Sequence, residues 1–267
     1  MQKNEFDQET MYKLFRTVKE ILHPTISKKN ISDYKIIMDE DVLPVRVYYP
    51  KKITNIDKVI IYIHGNGEVT KCLGEYTNIC KNFATKSNTL IIAIEYKELK
   101  GKYKTIIEEI TNTIKYLYDK LIMNNIKEEN ITVMADSTGC HILRQINNTN
   151  KDSPIKKELL FYPVLNTSYT KDKLVNEDFN IGLIESINKY FKDTISKDDI
   201  LLEDKDNSID TLVIVGNVDS LKDEIKEYYK EKKNTKYQEI PFSSHGFLND
   251  MDKELSNEVF AVVNKFI

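Results

Sequence analysis

Three residues whose types combine in nucleophilic catalysis each follow a β-rich run of this sequence. Ser137 stands in the run Ala-Asp-Ser-Thr-Gly at 135–139, between a predicted strand and a predicted helix. Asp219 follows the predicted strand 211–215, and His245 lies between the last predicted strand and the last predicted helix. A serine, a carboxylate and a histidine that meet in space can act as nucleophile, orienting acid and general base. The pattern therefore indicates covalent catalysis through an activated hydroxyl.

Each member of this set also has a purely structural interpretation. Ser137 could cap the helix that follows it, and Asp219 could cap the helix predicted from about residue 221. Asp223 is a competing carboxylate, although the pattern predicts it inside that helix. The order of the three residues and their common position after strands favour catalysis over capping. The remaining histidines are interpreted as structural or incidental: His23, His64 and His141.

A glycine-rich loop ends the first long apolar run of the sequence. The residues His-Gly-Asn-Gly occupy positions 64–67, at the end of the run 58–64. Two glycines let a loop turn its backbone N–H groups toward one point, which is what an oxyanion hole requires. Asn66 tolerates a positive φ better than most residues, so this asparagine is compatible with the turn. The alternative is an ordinary glycine-rich exit from a strand.

The elements that must position these residues alternate along the chain between buried strands and amphipathic helices. Short apolar runs mark strands that are covered on both faces, and the alternation implies a mostly parallel sheet with helices on both sides. An antiparallel pair is predicted near the start, at 34–38 and 45–49. The other predicted strands are 58–64, 89–95, 131–135, 159–162, 211–215 and 236–240. The predicted helices are 6–22, 103–123, 138–146, 221–232 and 252–267.

The segment from about 164 to 210 interrupts this alternation. It is long, polar and partly helical at 183–191, and it contains no obvious strand. Insertions of this length inside a compact domain are usually lids or binding elements. We therefore expect one α/β domain over residues 1–267 that carries such an insertion.

Composition and charge exclude several classes of protein. The net charge is −3 and the lysines are interleaved with acidic residues, so nucleic acid is not expected as a partner. No apolar run reaches the roughly 18 residues that a membrane span needs. Three irregularly spaced cysteines and a polar N-terminal segment predict a reduced, cytoplasmic chain. No cluster of metal-ligand residues is evident, so neither a metal nor an organic cofactor is expected.

Together, these motifs make the chain similar to the bacterial hormone-sensitive-lipase-like carboxylesterases of the α/β-hydrolase fold. The resemblance runs from about residue 45 to the C-terminus. The run at 64–67 resembles that family's His-Gly-Gly-Gly, and the run at 135–139 resembles its Gly-Asp-Ser-Ala-Gly. Further similar runs are 95–99, 160–164, 216–224 and 245–247. The chain departs from the family pattern at Asn66, Glu68, Ala135 and Cys140.

The resemblance implies that the substrate is a small-molecule carboxylic ester and that the reaction passes through an acyl-enzyme. Ser137 would attack the carbonyl carbon, His245 would move the proton, and Asp219 would orient His245. The oxyanion would be held by backbone N–H groups of three residues: Asn66, Gly67 and Thr138. The family also has a small helical cap, which here would comprise about 1–30 and 164–210.

The residues leave two other functions open. The same three side chains could cleave an amide, a formamide or a peptide, because the shape of the pocket selects the acyl bond. A non-catalytic ligand-binding protein on a hydrolase scaffold is the other alternative, although a binding protein has no need for all three residues. The oligomeric state also stays open, with a homodimer among the alternatives.

Overall fold

The computed structural model describes residues 43–50, 56–65, 76–96, 103–150, 152–166 and 209–267, together with helical positions 185, 187–189 and 192. Two predicted elements, the helix 6–22 and the strand 34–38, lie outside the described residues. So does most of the predicted cap at 1–30 and 164–210. The division into one domain and a cap therefore stays a prediction.

A seven-stranded sheet forms the centre of the fold. In chain order its strands are β1 (Val45–Tyr48), β2 (Val59–Ile63), β3 (Leu90–Ile94), β4 (Ile131–Asp136), β5 (Lys157–Phe161), β6 (Asp210–Gly216) and β7 (Thr235–Ile240). Their order across the sheet is β1-β3-β2-β4-β5-β6-β7. β1 is antiparallel to β3, and all other neighbours are parallel, so the carboxyl ends of β2 to β7 share one edge.

Helices pack on both faces of this sheet. In chain order they are α1 (Thr77–Lys86), α2 (Tyr103–Met123), α3 (Thr138–Thr149), α4 (Lys222–Tyr229) and α5 (Lys253–Phe266), with short 3₁₀ turns at Glu128–Asn130 and Phe247–Asn249. In the part of the chain that the structure describes, no helix combines the length and apolar character needed to cross a membrane. The mostly parallel sheet flanked by helices confirms the predicted α/β class.

The core is divided between the two faces of the sheet. Side chains alternate along a strand, so β2 sends Ile61 and Ile63 into one cluster and Ile60 and Tyr62 into the other. The first cluster lies under α2, α3 and α4, and the second lies under α1 and α5. Burial on both faces explains why the central strands read as almost continuous apolar runs.

Several element boundaries differ from those predicted. β5 begins at Lys157 rather than at 159, and it ends at Phe161 because Tyr162 adopts a φ of 37° and leaves the extended conformation. α4 ends at Tyr229 rather than at 232. The predicted partner of β1 lies outside the described residues, and the described partner is β3, with Val45 opposite Ile94.

α1 was not predicted from the sequence. It carries its buried side chains at Ile79, Cys80, Phe83 and Ala84, among exposed and half-buried polar residues. The ring of Phe83 packs edge-on against Phe161 and Phe260, with centroid distances of 5.6 Å and 4.9 Å. Only two of the four buried residues are large and apolar, which is why the helical period is weak in the sequence.

Candidate active site

Ser137 occupies a strained turn between β4 and α3. Its φ is 49° and its ψ is −121°, a combination that costs a non-glycine residue on the order of 1–3 kcal/mol. The end of β5 holds this turn, because the Ser137 N–H donates to the Phe161 carbonyl at 3.0 Å and the Val164 N–H donates to the Ser137 carbonyl at 3.1 Å. The sharp strand–turn–helix geometry predicted for this segment is therefore present.

Two glycines allow the backbones around this turn to approach one another. A Cβ on Gly139 would lie 2.5 Å from the Ile63 carbonyl oxygen, and a Cβ on Gly65 would lie 2.9 Å from the Ser137 Cβ. Any larger side chain would therefore push the start of α3 away from the end of β2. Ala135 lies in β4, two residues before Ser137, where it is fully buried beside Ile63 of β2.

The three residues predicted to combine in catalysis form a hydrogen-bonded row. The Ser137 Oγ lies 2.9 Å from the His245 Nε2, and the His245 Nδ1 lies 3.0 Å from the Asp219 Oδ2. An Nδ1–H that donates to the carboxylate leaves Nε2 as an acceptor for the serine hydroxyl. The side chains of His245 and Asp219 are 7% and 0% exposed, so this row is shielded from water.

Asp219, rather than the competing Asp223, is the carboxylate that reaches His245. The second oxygen of Asp219, Oδ1, accepts a hydrogen bond from the Leu221 N–H at 2.9 Å, which fixes the orientation of the carboxylate. Asp223 lies in the first turn of α4 with its side chain 76% exposed. Of the two carboxylates weighed from the sequence, Asp219 is therefore the one in contact with His245, and its catalytic role stays a prediction.

The loops that carry Asp219 and His245 are tied to each other. The Val218 N–H donates to the Ser243 carbonyl at 3.1 Å, and the Asn217 N–H donates to the Ile240 carbonyl at 2.9 Å. A Cβ on Gly216 would lie only 2.0 Å from the Ser243 carbonyl oxygen, so this approach requires a glycine. The ends of β6 and β7 thus set the distance between the acid and the imidazole.

The other two described histidines are structural, as interpreted from the sequence. The His64 ring is stacked between Tyr76 and Tyr96 at centroid distances of 4.8 Å and 4.3 Å, and burial lowers its pKa to about 4. His141 is fully buried against the Tyr103 hydroxyl, and burial lowers its pKa to about 3. Both rings are therefore neutral near pH 7. His23 lies outside the described residues.

Asp136 is a buried polar residue of the site that the sequence analysis did not single out. Its Oδ1 accepts from the Tyr62 hydroxyl and from the Gly65 N–H, each at 2.6 Å. Its Oδ2 lies 3.4 Å from the Tyr162 hydroxyl. Burial raises the pKa of this carboxyl, and these hydrogen bonds and the nearby His245 counteract the increase. The available signal was an acidic residue at the end of an apolar strand.

A second buried carboxyl, Glu158, lies away from the row of Ser137, His245 and Asp219. It accepts a hydrogen bond from Asn147, and burial raises its pKa to about 7. Both residues line an open cavity of about 70 Å³ between α3, α4 and strands β5 to β7. Glu158 is the second residue of β5, so this cavity lies toward the amino ends of the strands.

Part of the predicted site lies outside the described residues. Of the three predicted oxyanion donors, Asn66 and Gly67 are not described, and neither is the departure at Glu68. Thr138 is the first residue of α3 and is fully buried. The predicted oxyanion hole therefore stays a prediction, anchored at Gly65 on one side and at Thr138 on the other.

Comparison with known proteins gives the family of the chain. A sequence profile described as the α/β hydrolase fold matches residues 60–249. An arylesterase of Saccharolobus solfataricus is 22% identical over 84% of this chain and 78% of its own length. An ethyl acetate hydrolase of Pseudomonas putida is 23% identical over 52% of this chain and 46% of its own length. Apart from the arylesterase, the chain spans less than half the length of the curated relatives it matches.

The solved structure of a Francisella virulence factor, BioJ, is similar throughout. It has a TM-score of 0.74 and 22% identity, covering 98% of this chain and 92% of that one. At this level of identity the likeness shows the fold alone. The profile, however, covers more than half of the chain and includes each residue of the hydrogen-bonded row. The chain therefore belongs to the α/β-hydrolase fold family, in its hormone-sensitive-lipase-like group.

Proposed function

We propose that this chain is a serine hydrolase that cleaves a carboxylic ester of a small or short-acyl substrate through an acyl-enzyme. The observation that carries the proposal is the row of two hydrogen bonds from Ser137 through His245 to Asp219. A serine that only caps a helix needs no such partners. Ser137 also makes no side-chain capping bond to α3, which argues against the structural interpretation.

Acylation begins at the Ser137 hydroxyl. Its Oγ attacks the ester carbonyl carbon while the His245 Nε2 takes the hydroxyl proton. Asp219 accepts the Nδ1–H bond, keeps the imidazole in the correct tautomer and stabilises its cationic form. Three backbone N–H groups hold the oxyanion, and each lowers the activation barrier by on the order of 3 kcal/mol: Asn66, Gly67 and Thr138.

The tetrahedral intermediate then collapses. Its bond to the leaving oxygen breaks, the alcohol takes the proton from His245, and the acyl group stays on the Ser137 Oγ. A water molecule attacks this acyl-enzyme while His245 takes its proton. The proton returns to the serine, so that one ester and one water give one acid and one alcohol.

Two observations support a small, short-acyl ester. Two relatives are named for esters, an arylesterase and an ethyl acetate hydrolase, and ethyl acetate is a small short-acyl ester; a third, an arylacetamide deacetylase-like protein, is named for an amide. In the described residues, the strongly exposed large apolar side chains lie at two separate places rather than in one surface for a lipid interface: Ile122, Met123, Val218 and Phe242.

The proposal includes the cap at about 1–30 and 164–210. It also includes a cytoplasmic location, with which the buried free thiols of Cys80 and Cys140 are compatible.

The test combines a fluorophosphonate probe with p-nitrophenyl esters of increasing acyl length. We expect the probe to label the parent protein and short-chain esters to turn over fastest. Ser137→Ala should lose labelling and turnover while keeping the circular dichroism spectrum of the parent. Ser87→Ala is the matched control, because Ser87 lies at the end of α1, before β3, and should behave like the parent.

The same assay separates the alternatives. Turnover by folded Ser137→Ala would reject the nucleophile, and faster cleavage of emulsified long-chain esters would reject the substrate class. A preference for a p-nitroanilide over the matching p-nitrophenyl ester would identify an amide hydrolase. A non-catalytic binding protein would give neither labelling nor turnover.

A further inference from the structure

The carboxyl group of Asp136 has an environment that the mechanism above does not use. The side chain is buried, with the residue only 3% exposed, directly before Ser137. Its Oδ1 receives two donors from β2 and the residues after it, the Tyr62 hydroxyl and the Gly65 N–H, both at 2.6 Å. Two donors on one oxygen at this distance are typical of charge-assisted bonds to a carboxylate anion.

Tyr162 connects this carboxylate to His245. Its hydroxyl lies 3.4 Å from the Asp136 Oδ2, and its ring lies against the His245 ring at a centroid distance of 4.8 Å. The backbone of Tyr162 is held in a positive φ of 37°, with its N–H donating to the Ile214 carbonyl at 2.8 Å. Asp136 therefore lies behind the row of Ser137, His245 and Asp219, with one phenol in contact with both Asp136 and His245.

We propose that Asp136 is a positioning residue of the candidate site: its carboxylate fixes Gly65 where the chain leaves β2, and its negative charge supports the protonated form of His245 during turnover. The proposal rests on the proposed function, because protonation of His245 matters only if His245 moves the proton. Asp136 touches neither substrate nor reacting atoms in this scheme. It acts through the backbone of Gly65 and through the field at the imidazole.

The phenols and thiols around Asp136 and His245 are uncharged near neutral pH. Those that face Asp136 are Tyr62, Cys80, Cys140, Tyr162 and His245. Burial raises the pKa of each of these phenols and thiols, so all four stay uncharged near neutral pH. His245 faces Asp219, Tyr162 and Asp136. Among the described residues, the anions near this imidazole are therefore Asp219 and Asp136.

The negative charge of Asp136 sets the direction in which its removal moves the pH dependence of the reaction. An anion near the imidazole favours the protonated ring, so removing the anion makes the neutral ring persist to lower pH. Asp136→Asn keeps an Oδ1 that accepts from Tyr62 and Gly65 while it removes the charge. We expect the acid limb of the kcat/KM profile to move to lower pH by about one unit, and the plateau of kcat to fall about tenfold.

Two control variants separate charge from shape. Glu158→Gln is the same kind of substitution at a buried carboxyl on the neighbouring strand, but toward the amino ends, and it should leave the acid limb unchanged. Tyr162→Phe removes one hydroxyl and keeps the Asp136 charge, so its acid limb should stay near that of the parent. A shift in Glu158→Gln equal to that in Asp136→Asn would overturn the proposal, since the shift would then not depend on a charge beside His245.

Nuclear magnetic resonance tests the same idea without turnover. The midpoint of His245 protonation, followed by the ring ¹³C–¹H signals, should be lower in Asp136→Asn than in the parent. His64 and His141 do not interfere, because burial lowers their pKa to about 4 and about 3. An unchanged midpoint would reject the charge effect. An unchanged midpoint rejects only the role of Asp136, whereas absence of ester hydrolysis rejects the proposed function, so the two failures can be distinguished.

A measurement on the parent protein covers the case in which Asp136→Asn does not fold. The carboxyl ¹³C shift of Asp136 reports its charge directly. We expect the anion between about pH 6 and pH 8. A protonated Asp136 over that range would overturn the proposal, because a neutral carboxyl supplies no field at His245.

Discussion

Asp136 and Glu158 are buried carboxyl residues on neighbouring strands, but they lie toward opposite ends of the sheet. Asp136 ends β4, where the Tyr62 and Gly65 donors meet it at 2.6 Å. Glu158 lies in the second position of β5, where it accepts from Asn147 and lines a cavity. Burial raises the pKa of both groups, for Glu158 to about 7. The same physical cause therefore acts at two places with different surroundings.

The difference shows what identifies a candidate catalytic site in this molecule. A cavity and a perturbed acid occur together at the amino ends, where the lining thiol of Cys140 donates to the Phe161 carbonyl and has its pKa raised by burial. At the carboxyl ends, a serine, a histidine and an acid are held in hydrogen-bond contact. Mutual geometry, rather than cavity volume or a raised pKa, therefore distinguishes the two regions.

The largest expected effect is at the carboxyl ends. Asp219→Asn should lower kcat by about 10⁴-fold, because the amide no longer holds His245 in the tautomer that accepts the serine proton. Asp223→Asn should leave kcat near that of the parent, since the Asp223 side chain is 76% exposed and lies on α4. Steady-state kinetics on one p-nitrophenyl ester compares the two. If Asp223→Asn is the damaging change, the acid has been assigned to the wrong residue.

The next effect is at the amino ends and concerns stability instead of activity. Glu158 has a pKa near 7 in the folded state against 4.5 for the free side chain, so stability is lost as pH rises through this range. Glu158→Gln removes this loss and should raise the free energy of unfolding at pH 8 by about 3 kcal/mol, with little gain near pH 5.

Urea unfolding at pH 5 and pH 8 measures this pH dependence. Ester hydrolysis by Glu158→Gln should match the parent, which is the control for a role outside catalysis. A gain of equal size at both pH values would show that packing, and not ionisation, distinguishes glutamine from glutamate here.

The smallest expected effect is that of Asn66→Gly in the predicted oxyanion loop, because the proposed chemistry does not need the Asn66 side chain. The proposed oxyanion contact uses only the backbone N–H of Asn66, so Asn66→Gly should keep kcat within about tenfold. Asn66→Val should lower kcat much more, because a β-branched residue resists a positive φ. The kcat values of both variants on one activated ester decide the matter. Equal values for Asn66→Val and the parent would remove the oxyanion role from this loop.

The sequence predicted those parts of the fold and site that depend on local pattern. Strands buried on both faces read as short apolar runs, and β2, β4 and β6 lie close to their predicted positions. Because parallel strands end at one edge, residues that follow different strands could be expected to meet. Ser137, Asp219 and His245 meet in this way, although they lie far apart in the sequence.

The remainder depends on contacts between distant residues, which no local pattern encodes. α1 buries small side chains at Cys80 and Ala84, so its apolar stripe is weak. The surroundings of Asp136 come from Tyr62 and Tyr162, which lie in the predicted strands 58–64 and 159–162 and to which the sequence assigned no role in the site. Their hydroxyl groups meet one carboxylate because β2 and β5 flank β4 in the sheet.

The stacking of Tyr76 on His64 bears on how this enzyme family can diversify. These two rings, together with the hydrogen bond from the Tyr76 hydroxyl to the Gly65 carbonyl, join the two ends of the segment 66–75 independently of what lies between. Doubling the length of a loop between fixed ends costs only about 0.6 kcal/mol in closure entropy. Insertions in 68–75, after the proposed oxyanion donors, can therefore accumulate without displacing Gly65, which makes that stretch a tolerant place for grafting new substrate contacts.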